Sequence, residues 1–131
     1  IFPSMYEPRI YRSRMVNDRF VTFRVIIRES DLMIGVSKDD YYDEIPVMIE
    51  KWLLKLRRTL EHYISKNPEF TKKMIPIPVY QDDPEIVKRM KDAAEITNTG
   101  PMASVAGMIS QEIGDYIIKK NNPKEIYIEN G

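Results

Sequence analysis

The chain has 131 residues, 43% hydrophobic and 31% charged, with twenty basic side chains against twenty acidic ones. That is the size and balance of one globular α plus β domain, unlike a disordered or a membrane chain. The absence of cysteine excludes disulfides, thiolate nucleophiles and cysteine-ligated metal sites, and a single histidine, His62, excludes a His-cluster metal site.

Charge is neutral overall but blocked locally. Residues 1–28 carry a net of +4, residues 29–50 a net of −6, and residues 51–75 a net of +5. Such blocks suit either a solvated folded surface or an anionic ligand held beside the basic stretches. Zero net charge argues against a nucleic-acid binder, although Arg9, Arg12, Arg14, Arg19, Arg24 and Arg28 are interleaved with Tyr6 and Tyr11. It equally argues against a polybasic membrane anchor. No apolar run of about eighteen residues and no signal peptide is present, so the cytoplasm is the expected compartment.

In chain order, Tyr6 to Arg14 alternates polar and apolar residues, and Asn17-Asp18 reads as a turn. Val21, Phe23, Val25 and Ile27 alternate with Thr22, Arg24 and Arg28, which predicts a strand with one buried face. Glu29-Ser30-Asp31 reads as a second turn, after which Leu32, Ile34 and Val36 keep the same period. Three antiparallel strands in a meander follow. Ile45, Ile49, Trp52, Leu53, Leu56, Leu60, Tyr63 and Ile64 then fall on one helical face, predicting a helix over 43–66 that packs across the sheet. Asn67-Pro68 ends it. Trp52 reads as core and His62 as structural or exposed.

Two prolines in residues 75–80 forbid a central strand there, leaving an extended crossover. Asp82 or Asp83 is expected to cap a short helix with Pro84 at its first position and an apolar face of Ile86, Met90 and Ala93 or Ala94. Thr97 to Gly100 is a loop, and Pro101 starts another helix. Asn121-Asn122-Pro123 ends that helix, and residues 125–129 read as a strand. The order predicts an α+β fold: a mainly antiparallel sheet with helices on one face, formed as a single domain over residues 1–131.

The helix after Pro101 carries a strip of small residues: Ala103, Ala106, Gly107, Ser110 and Gly114. A glycine inside a helix costs about 1 kcal/mol relative to alanine, so Gly107 and Gly114 are expected to sit where something approaches the backbone. Gly107 is assigned to packing against the sheet. At the start, Gly100-Pro101 leaves the N–H groups of Met102 and Ala103 facing the loop, a geometry suited to phosphate or carboxylate.

The run GPMASVAGMIS, the strand ending Ile128-Glu129-Asn130-Gly131 and the opening Tyr6 to Arg12 together closely resemble an uncharacterised prokaryotic family. That family is distantly related to the ApbE proteins, flavin transferases that move FMN from FAD onto a protein threonine using magnesium. The resemblance implies an ApbE-like fold of which this chain is the N-terminal part, with a flavin or another phosphate-bearing nucleotide as ligand. It implies a ligand-binding set of Thr99, Gly100, Pro101, Met102, Ala103, Asn130 and Gly131. Ala103 and Gly107 match the alanine and final glycine of the ApbE helix run, and Asn130-Gly131 matches the start of its glycine turn. Gly100 stands where ApbE has an aspartate and Ala106 where it has a lysine. The loss of both charges counts against magnesium and against the transferase step.

No nucleophile–base pair stands out, so no catalytic residue and no metal ligand is assigned. Three functions are consistent with the sequence: a domain binding FAD, FMN or another nucleotide, an enzyme of another kind, and an assembly module. A homo-oligomer is expected.

Overall fold

The structure is a computed structural model that describes the backbone of residues 9–131 and side chains from Met15 onward. The described residues sort into two compact units. One takes the chain as far as Leu54 together with Ser110–Gly131, and the other is Lys55–Ile109.

The first unit is built on a four-stranded antiparallel sheet of β1 (Arg9–Val16), β2 (Phe20–Ile27), β3 (Ser30–Ser37) and β4 (Ile126–Asn130), in that spatial order. The alternation read from the sequence gives it one buried face. Val21, Phe23, Val25 and Ile27 of β2 and Leu32, Ile34 and Val36 of β3 are all buried. The register Phe23↔Ile34↔Ile128 brings β4 onto the same face. The first predicted strand is found over Arg9–Val16, and the part of it expected at Tyr6, Glu7 and Pro8 lies outside the described residues. The β2–β3 turn falls earlier than expected. Ile27 pairs with Ser30, so Arg28-Glu29 makes the turn, with Arg28 at a left-handed φ of 53°. Arginine is an unusual occupant there, whereas the Glu-Ser-Asp residues next to it are the ones that favour a turn by type.

The other sheet face is organised by one aromatic ring. Tyr127 lies across Gly35, its register partner, so closely that a Cβ on Gly35 would come within 1.9 Å of the ring. Its hydroxyl reaches Thr22 Oγ1 at 2.8 Å, and Phe20 meets the ring edge-on with centroids 5.0 Å apart. Gly35 is a glycine for space.

The long helix α1 (Glu44–Lys66) contributes Ile45, Ile49 and Leu53 to the core of this unit. Trp52, expected in the core, is only half-buried: it stacks on Tyr116 with centroids 4.8 Å apart and planes 6° apart. The reason is its place at the edge of the helical stripe, where an amphipathic ring covers apolar surface with one face. From α4 (Val105–Asn121), Ile113 and Ile117 are buried, and Gly114 faces Ile128 at 3.5 Å from its would-be Cβ. That contact puts this part of α4 against the buried sheet face. Asn122, left-handed at φ 45°, follows the helix.

The second unit holds the C-terminal half of α1, the short α2 (Glu69–Lys72), α3 (Glu85–Thr97), a 3-10 turn at Pro101–Ser104 and the first turn of α4. Its core includes Leu56, Leu60, Phe70, Ile86, Val87, Met90, Ala94 and Ile109. The sequence reading missed α2, whose Phe70 meets the Tyr63 ring at 5.3 Å. Residues 75–80 are extended and unpaired, as two prolines require.

Two helix starts need correcting. α3 opens at Glu85 with Pro84 in the capping position and no side-chain cap, so neither Asp82 nor Asp83 caps it. Asp83 is drawn away by a buried lysine. The helix after Pro101 begins as a 3-10 turn, and its α-helical part starts only at Val105.

Candidate ligand-binding groove

The half of α1 beyond Lys55 turns an exposed row outward: Arg58, His62 and Lys66, four residues apart and so one above another. Facing it is the turn that leads from the extended segment into α3. There Asp83 N–H donates to the Tyr80 carbonyl at 3.1 Å and Tyr80 N–H donates to Asp83 Oδ2 at 2.8 Å, which folds residues 80–83 on themselves. Between the two walls lies a groove of about 690 Å³ lined by the basic row, Tyr63, Tyr80 and Asp82, among others.

A buried ion pair fixes the turn. Lys91 of α3 has a side chain with no exposed surface. Its Nζ donates to Asp83 Oδ2 at 2.7 Å and to the Tyr63 hydroxyl at 2.9 Å, and it lies 4.6 Å from the Tyr80 ring centroid. Burial pushes the Asp83 carboxyl up, but the Lys91 bond and the Tyr80 N–H outweigh it, and the carboxyl ends below its ordinary range. Burial likewise pushes Lys91 down, and the bonds to Asp83 and Tyr63 carry it above the ordinary lysine value. Both groups are therefore charged and cancel each other. The three groups that hold Lys91 are themselves groove walls. Tyr80 has the ammonium against one side of its ring and is 55% exposed, so ring surface is left for a planar ligand.

None of the residues implied by the resemblance is among those that line this groove. Thr99, Gly100, Pro101, Met102 and Ala103 belong to the second unit, and Asn130 and Gly131 to the first. The physical premises of that set change. Ala103 N–H is used inside the turn, donating to the Gly100 carbonyl at 3.2 Å. A Cβ on Gly100 would stand 2.0 Å from the Lys73 carbonyl oxygen, so Gly100 is small because backbone packs on it. Pro101 is buried, and Met102 and Thr99 are half-buried. Asn130 pairs with Leu32 in the sheet, and Gly131 N–H donates to the Asp31 carbonyl at 3.0 Å. Gly107 has nothing within 4 Å of its would-be Cβ, which corrects its assignment to sheet packing. The strip is exposed at Ala103, Ala106 and Gly107 and meets the sheet at Gly114.

A second groove, of about 450 Å³ in the first unit, is lined by the stacked Trp52 and Tyr116 together with Glu112, Asp115, Lys119 and Lys120. Its charges balance, so it shows no preference for an anion. Among the described residues no three His, Asp or Glu side chains converge on a point where a metal ion would be held. No described helix is long and apolar enough to cross a membrane.

Comparison with known proteins assigns the lineage. The family model described as AbpE bacteria matches residues 12–131. The chain belongs to this family. Its relatives include the UPF0280 protein MJ1526 of Methanocaldococcus jannaschii, 44% identical over 108 residues that make up 82% of this chain and 41% of that protein. A UPF0280 protein of Methanobrevibacter smithii is 46% identical over 84 residues, 63% of this chain and 35% of its own length. One from Methanococcus vannielii is 36% identical over 108 residues, 82% and 42% respectively. The chain thus spans about two fifths of the length of these family members, whose names carry no activity.

Sequence reasoning missed Lys91. The signal was present: Lys91 falls in the apolar stripe of α3, four residues after Val87 and three before Ala94. A lysine inside such a stripe needs a buried counter-charge.

Proposed function

We propose that this domain of the family binds a phosphate-bearing nucleotide, with flavin nucleotides among the candidates, in the groove between α1 and the 80–84 turn. One observation carries the reading. A basic row and two tyrosine rings line a single groove, over an ion pair that has already neutralised its own charges. A phosphate suits the row, and a planar ring system suits the outer surface of Tyr80. The volume accommodates both parts of such a ligand. The basic row lies in the +5 block of the sequence, the place where charge patterning allows an anion. The ligand class is the one implied by the family resemblance, and the groove is preferred to residues 99–103 because one of the two N–H groups expected to hold the anion there, that of Ala103, is already bonded.

The test is titration of FMN, FAD and ADP into the wild type, Tyr80→Ala and Lys66→Ala. Saturable binding that weakens about tenfold in Tyr80→Ala, through lost stacking, is expected. No saturable binding of any of the three to the wild type removes the reading.

A second reading, an assembly module, is favoured by Met74, Ile75 and Ile96, which are 82%, 61% and 85% exposed. Large apolar side chains at such exposure suit a partner surface, including a second copy of the chain. Sizing by light scattering, with Met74→Lys and Ile96→Glu expected to shift an oligomer towards monomer, tests it.

A further inference from the structure

Arg58, His62 and Lys66 are all exposed along the groove, and among the described residues none of the three stands in an ion pair. The opposite wall offers Asp82, which is exposed, and Asp83, whose charge Lys91 cancels from behind. Two permanent cations of α1 therefore face one unmatched carboxylate, with the only histidine of the chain between them.

We infer that the row Arg58–His62–Lys66 is an oxyanion subsite whose affinity is linked to protonation of His62. The inference rests on reading the groove as an anion site and adds the residues and the regulation. Arginine and lysine supply fixed charge, whereas histidine changes charge within the physiological range. An oxyanion held by the row attracts the imidazolium. By reciprocity, a proton on His62 tightens the oxyanion and the oxyanion tightens the proton by the same factor. The ligand chemistry is a phosphate or pyrophosphate group. Asp82 is the counterweight: it stands across the groove and limits how much negative charge the ligand can bring.

The probe is sulfate, a tetrahedral dianion whose own charge is constant through the histidine range. The imidazole C–H resonance of His62, assigned by its loss in His62→Gln, is followed against pH with sulfate and with chloride at matched ionic strength. Sulfate should raise the titration midpoint by about half a pH unit beyond chloride, equivalent to about threefold tighter binding by the imidazolium form. His62→Gln should bind sulfate with an affinity that no longer changes between about pH 5.5 and pH 8. Lys66→Ala, an exposed change, should weaken sulfate at both ends of that range. Equal midpoints in sulfate and chloride overturn the inference, as does unchanged pH dependence in His62→Gln. If FMN, FAD and ADP fail to bind while sulfate moves the midpoint, the nucleotide reading falls and the oxyanion row stands. If they bind and sulfate leaves the midpoint where chloride does, the row falls and the nucleotide reading stands.

Discussion

Lys91 is buried among Ile86, Val87, Met90 and Ala94 without breaking their core, because Asp83, Tyr63 and the Tyr80 ring answer its charge. Removing one member of such a pair costs far more than the pair contributes, since the other charge is left buried. Lys91→Met is therefore expected to destabilise by about 3–5 kcal/mol in urea unfolding. The double change Lys91→Met with Asp83→Asn should lose clearly less, because no charge is stranded. The pH dependence follows from the same pair. Asp83 is held low in the fold, so its share of stability is present above the ordinary carboxylate range and lost as pH falls through its lowered folded value. Lys91 is held high, so its share is present below the ordinary lysine range and lost as pH rises through its raised folded value. Unfolding midpoints across pH should show a flatter acid limb for the double variant than for the wild type. At this scale the sequence held the signal, a lysine in an apolar stripe, but not the partner. Asp83 stands where a helix cap was also plausible, and only the fold decides between the two.

Glycines are where element-scale reading reached its limit. Gly100 and Gly107 look alike in sequence, one before a helix and one inside it, and their surroundings are opposite. Gly100→Ala would drive a Cβ into the Lys73 carbonyl, at 2.0 Å, and should destabilise by about 1–3 kcal/mol. Gly107→Ala meets open space and should stabilise the helix by up to about 1 kcal/mol. Thermal unfolding of the two variants gives opposite signs if the packing is as described. Strands and long helices were legible because their periodicity reports burial directly: β2, β3, β4 and α1 fall close to where alternation and helical spacing put them. Short elements were not. α2 has four residues, too few for a period, and the 3-10 turn at Pro101–Ser104 shares its proline start with an α-helix.

For the whole molecule, zero net charge conceals the asymmetry that matters. The −6 block and the +5 block cancel in composition, while the groove draws its row from the basic block alone. Binding there should weaken as salt rises from about 0.05 to 0.5 M, since an exposed cation row acts through a screened field. A salt-insensitive affinity would point to apolar contact instead. The sequence made the α+β order and the basic block legible; it could not bring Tyr80 and Asp82 opposite Arg58 and Lys66, because that approach is set by the Lys91–Asp83 pair within the folded unit. The central claim, that an anionic nucleotide is held in this groove, is tested most directly by amide chemical-shift mapping of the protein titrated with ADP and with FMN. Perturbations are expected to concentrate on residues 58–67 and 80–84. Perturbations confined to residues 99–103 and 130–131, with the groove unmoved, would contradict the claim.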